Sequence, residues 1–155
     1  MSFDPLDEAG EITLADEFAS RIVELRTRAD RSGKSLQIFH WHHPETSHTR
    51  KFAAVSDALD GLTFDLLKWF SSAYFCRSSS SIKSVAAIFG FHWNVDDPGG
   101  LASQGAIDIA RGVGPEAQAA RQWCLAYNAG DVAAQAAIRD GLRRREADES
   151  CGGAD

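Results

Sequence analysis

Three of the five histidines stand together in HWHHPE, as His40, His42 and His43, and the same stretch ends on Glu45. Imidazoles at this density can hold zinc, which in a closed site takes four converging ligands. On an extended strand His40 and His42 share a face while His43 points away. The next histidine is His48, and no cysteine lies near. The competing chemistry belongs to the glutamate, because hard divalent cations such as Mg²⁺ and Mn²⁺ prefer oxygen ligands. A second pair is Tyr127 and Asp131, in WCLAYNAGDVAAQAAI. Four residues apart, they project from one face of a helix, where a phenol beside a carboxylate can position a water and a metal ion together. The same spacing also arises by chance, so the pair is weak by itself. Of the four tryptophans, Trp41, Trp69 and Trp123 read as core anchors, and Trp93, in a loop, is the candidate for stacking on a base.

These side chains need elements to hold them. Leu14, Phe18, Ile22 and Leu25 recur at a helical period, with Thr13 and Asp16 as a start signal and Gly33 as a stop. SLQIFHWH is short and continuously apolar, the pattern of a strand buried inside a parallel sheet. TSHTRKFAAVSDALDG carries Phe52, Val55 and Leu59 on one helical face. In LTFDLLKWFSSAYF a strand over Leu62 to Phe64 turns into a helix capped by Asp65. SSSSIKSVAAIFGF predicts a short helix ending at Gly90, HWNVDDPGG a loop, and Ser103 to Arg111 a further helix. Asp96 and Asp97 fall in that loop, where solvation is the ordinary role of such residues. A last helical region runs from Pro115 towards Arg145, with a break expected near Asn128 to Gly130. Residues 147–155 read as a disordered tail. Strands separated by helical patterns point to an α/β domain, expected over residues 1–146.

Composition narrows the function classes. The 155 residues are 44% hydrophobic and 25% charged, the ordinary globular range. No run approaches a membrane span, the acidic start lacks the apolar segment of a signal peptide, and three cysteines without CxxC spacing fit a reducing, cytoplasmic setting. A net charge of −6 gives no global basic footprint for nucleic acid, so such a partner would need a local basic patch or metal ions.

In order, HWHHPE, FDLLKWF, SSSIKSVAAIFGFHW and WCLAYNAGDVAAQAAI resemble the ribonuclease-H-like (YprB-type) domain of RecB-family nucleases, part of the wider DEDD exonuclease group. The resemblance covers roughly Leu14 to Arg144. It implies a three-layer α/β fold and hydrolysis of nucleic-acid phosphodiesters, with single-stranded DNA or RNA as partner. Such cleavage uses two cations, Mg²⁺ or Mn²⁺, about 3.5–4 Å apart. By resemblance Glu45 and Asp131 hold metal, Tyr127 orients the attacking water, Asn128 completes a frequent Tyr-Asn form and Lys83 contacts a phosphate. On the same ground His40 orients the Glu45 loop, and Asp65 matches a family acid, although a helix N-cap is its plainer role. A solvated helix position is an equally good account of Lys83.

The family's first acidic motif, Asp-x-Glu closing an N-terminal strand, has no match in Phe3-Asp4-Pro5-Leu6-Asp7-Glu8. Ser2 to Leu6 resembles the third strand of the fold. The expectation is therefore a ribonuclease-H-like domain truncated at its N-terminal strands, the C-terminal portion of a nuclease, inactive alone. The exposed sheet edge would pair with the absent N-terminal segment or with another copy of the chain. The alternatives are a catalytically dead nucleic-acid-binding module and an oligomeric scaffold.

Overall fold

The computed structural model describes residues 3, 7–42, 49–76, 79–95 and 100–152. The chain forms two compact units, one over Leu6–Phe75 and the other over Cys76–Asp155 together with Met1–Pro5. The sequence predicted one domain over residues 1–146.

The first unit begins with α1 (Glu8–Arg31). The cap is Asp7, whose side chain accepts from the Gly10 N–H at 2.8 Å. Thr13 lies inside the helix, its hydroxyl donating to the Ala9 carbonyl. Glu8 and Glu11 in the first turn and Arg28 and Arg31 in the last suit the helix dipole. The face turned inward is Ala15, Ala19 and Ile22, packed with Val55 and Ala58 of α2 (Ala53–Leu59) and with Leu62. Leu14 and Phe18, expected on the core face, are 43% and 45% exposed. The alanines let the two helices approach closely, and the larger side chains flank the contact. Strand β1 (Ile38–His40) pairs in parallel with β2 (Thr63–Asp65), with Phe39 opposite Phe64 and His40 opposite Asp65. Helix α3 (Leu66–Ala73) follows at once, capped by Asp65, and buries Leu66 and Phe70.

The second unit contains α4 (Ile82–Ile88), α5 (Gly100–Ala110) and α6 (Pro115–Gly152). Helix α6 has 38 residues, so residues 147–152 of the expected tail are helical; residues 153–155 lie outside the described residues. Its inward side chains Ala134, Ile138 and Leu142 are at most 2% exposed, as are Val85 and Ala86 of α4. Arg121 joins α6 to the end of α5, donating to the carbonyls of Ala110 at 2.7 Å and Gly112 at 3.1 Å. The Ala110 carbonyl is among the acceptors a helix leaves unsatisfied at its C-terminus, and Gly112 lies just beyond it.

Two expectations are corrected. The three-layer ribonuclease-H-like α/β fold is not formed. About 70% of the described residues are helical, and only two strands, paired in one parallel sheet, occur among them. The apolar run from Leu36 to Trp41 yields three strand residues, too few to seed a covered sheet. Ser2 to Leu6, read as a strand, lies outside the described residues apart from Phe3, which is in neither helix nor strand. The break expected near Asn128 to Gly130 is also absent. Glycine there serves a close approach: a Cβ on Gly130 would stand 2.5 Å from Trp93 Cδ1, and one on Gly141 would overlap the Phe89 ring. Among the described residues no helix is long and apolar enough to cross a membrane.

Candidate functional site

The second unit brings together residues from three separate segments. Along α6, Trp123, Tyr127 and Asp131 stand one turn apart on one stripe. The Trp123 and Tyr127 rings are stacked, with centroids 5.1 Å apart and planes at 25°. From α4, the Lys83 ammonium lies over the Tyr127 ring, 5.5 Å from its centroid. From the segment after α4, the Trp93 indole packs over Gly130 and donates from Nε1 to Asp131 Oδ1 at 3.1 Å. Phe91 meets Trp93 edge to face at 5.1 Å. Burial pushes the Asp131 carboxyl above its ordinary value. The Trp93 N–H and the charge of Lys83 act in the opposite direction, and the net shift is upward. Asn128, next to Tyr127, is exposed.

The remaining candidates belong to the first unit or lie outside the described residues. His40 and Asp65 face each other in register at the ends of β1 and β2. The His40 Nδ1–H donates to the His42 carbonyl at 2.7 Å. His42 takes a left-handed backbone, φ 68°, which directs its N–H to Asp65 Oδ1 at 3.3 Å. The same oxygen accepts from the N–H groups of Leu67 at 2.9 Å and Lys68 at 3.2 Å. Asp65 is therefore a helix cap, and among the described residues its buried Oδ2 has no hydrogen-bond partner. Beside it opens a cavity of about 530 Å³ lined by Thr49, Arg50, Asp60, Asp65 and Lys68 among others. Among the described residues two cations, Arg50 and Lys68, and two carboxylates, Asp60 and Asp65, line it. Glu45, His43, His48, Asp96 and Asp97 lie outside the described residues.

A metal centre needs several ligands at one point. Among the described residues no three His, Cys, Asp or Glu side chains form such a group. Asp131 offers one carboxylate, one oxygen of which already takes an indole N–H. The described residues thus do not by themselves fit the Mg²⁺ or Mn²⁺ that the resemblance implies, nor a zinc ion.

The sequence marked Tyr127 and Asp131 by spacing and Lys83 by resemblance. It did not mark Trp123, because an aromatic at a helical period reads as core whether or not it is covered. Trp93, expected to offer its face to a base, is instead tied to Gly130 and Asp131. No family model matches the chain, and neither the curated proteins nor the solved structures include a significant match to it.

Proposed function

We propose that the chain acts on nucleic acid, as the part of a metal-dependent nuclease that carries the Tyr127 and Asp131 side of its site. The observation that supports this is convergence. Lys83, Trp93, Tyr127 and Asp131 come from three separate stretches of the sequence, and they meet within one unit. A Lys ammonium suits a phosphate, a phenol hydroxyl can hold a water, and a half-buried carboxylate can orient that water or accept its proton. Any metal and its further carboxylates come from outside the described residues. The chain alone is accordingly expected to cleave poorly or not at all.

One observation favours a second reading, a nucleic-acid-binding module without catalysis. Asp131 already has the Trp93 N–H and the nearby Lys83 charge as partners, an arrangement that is complete without metal. Hydrolysis of end-labelled single-stranded DNA with Mn²⁺ or Mg²⁺ separates the two. Cleavage by the wild type that Asp131→Asn removes supports the nuclease. Metal-independent binding without cleavage, unchanged in Asp131→Asn, supports the module. Neither cleavage nor binding would sink both.

A further inference from the structure

We propose that α1 is a self-association surface, on which a second copy of this chain lays its own α1 in the opposite direction. This inference stands apart from the nucleic-acid reading above. Only one face of α1 is covered: Ala15, Ala19 and Ile22 pack with α2, whereas Leu14 and Phe18 beside them are 43% and 45% exposed. These two line an open groove of about 480 Å³ together with Phe52 and Val55. Glu11, Leu14, Phe18, Arg21, Leu25 and Arg28 follow one another at steps of three and four, the spacing of a seam between two paired helices.

Charge along the helix names the occupant and its direction. Residues 8–19 hold four acids and no Lys or Arg, while residues 20–31 hold four arginines and two acids. Two copies side by side in the same direction would set Glu11 against Glu11 and Arg28 against Arg28. A two-fold axis between Ala19 and Ser20, the middle of α1, instead brings Glu11 opposite Arg28, Leu14 opposite Leu25 and Phe18 opposite Arg21. The same operation brings Glu8 to Arg31. Each acid thus meets an arginine, each leucine a leucine, and the Phe18 ring a guanidinium, which aromatic faces attract. A pattern that complements itself about a two-fold axis is the mark of an isologous interface between identical chains. Glu11 already bonds Lys51 at 2.7 Å and Arg21 bonds Glu24 at 2.8 Å. Both pairs are exposed, and a carboxylate or a guanidinium has sites for a further partner. Ile12 and Val23 are as exposed as Leu14, but they lie on the other flank of the covered face, away from the seam.

Exposed ion pairs are individually weak, so the charges set direction and register while Leu14, Phe18 and Leu25 supply the attraction. The test is sedimentation equilibrium of the full chain at low salt, without nucleic acid, from micromolar to near-millimolar concentration. A reversible equilibrium of monomer and dimer is expected. Phe18→Gln should raise its Kd at least about tenfold, since the loss counts once in each copy. Val23→Gln, the same kind of change on the other flank, should leave Kd within about twofold. Glu11→Arg and Arg28→Glu each set like charges face to face and should each weaken the dimer by about tenfold. The double variant crosses the pairs over and should return to within about threefold of the wild type. Should the double variant lose helicity, an equimolar mixture of the two single variants replaces it. There each acid again meets an arginine, and association should return. A monomer at every concentration, a dimer indifferent to Phe18→Gln, or one weakened equally by Val23→Gln would overturn the proposal. So would charge reversals that leave the dimer intact, or whose combination fails to restore it.

Discussion

Asp131 joins burial, an indole donor and a nearby lysine in one side chain, and its titration follows from those three. A carboxyl raised above its ordinary 3.8 binds its proton more tightly in the folded chain than in the unfolded one. Stability from this group is therefore greatest below the ordinary value and is lost as pH rises through the raised one. Asp131→Asn keeps an acceptor for Trp93 and has no proton to lose, so its unfolding free energy should rise relative to the wild type as pH increases over that interval. Paired urea melts from acid to neutral pH measure the difference, and parallel curves would refute it. Trp93→Phe removes the donor that opposes burial. The Asp131 carboxyl should then move further up, as read by carbon NMR titration, and stability should fall by about 1 kcal/mol. The Tyr127 and Asp131 stripe was legible because helical spacing is written in the sequence. The bond from Trp93, 38 residues away, was not, since nothing local says which ring closes over which carboxylate.

Helix α6 shows how glycine misleads when read along the chain alone. Gly130 and Gly141 look like breaks by propensity, yet both receive an aromatic ring from the preceding segment. Alanine gains up to about 1 kcal/mol over glycine in a helix interior, but at these positions its methyl meets Trp93 or Phe89. Gly130→Ala and Gly141→Ala should therefore destabilise the chain by about 1–3 kcal/mol, the usual effect of overpacking. Gly105, inside α5, has open space where a Cβ would stand. Gly105→Ala should be neutral or stabilising by up to about 1 kcal/mol. Urea denaturation of the three variants checks the contrast, and a stabilised Gly130→Ala would show that the ring contact is dispensable. At Asp65 the local signal sufficed. The expected turn from strand to capped helix is present, with the carboxylate on the Leu67 and Lys68 N–H groups, and Asp65→Ala should lose about 1 kcal/mol.

At the scale of the whole molecule the sequence misled in one direction. The two short apolar runs read as strands do pair with each other, but neither periodicity nor composition could tell that the three-layer sheet implied by the resemblance would not form around them. Helix patterns of greater length survived, which is why the described residues are mostly helical, with one two-stranded sheet among them. Charge, by contrast, is legible without any fold. A net −6 leaves no broad cationic field to gather nucleic acid, so under the proposed function the attraction is local, and Lys83 beside Tyr127 is its candidate. Each phosphate neutralised on a single strand steepens the dependence of log K on log salt by about 0.7. One contact through Lys83 predicts a slope of about −0.7, and Lys83→Gln should flatten it almost to zero. The alternative on the same helix is the run Arg143, Arg144 and Arg145, whose three phosphates without Lys83 would give a slope of about −2. Anisotropy titrations of oligothymidylate over a range of salt, with the wild type and Lys83→Gln, separate the two. A steep slope left unchanged by Lys83→Gln would move the nucleic-acid contact from the middle of α6 to its C-terminal end.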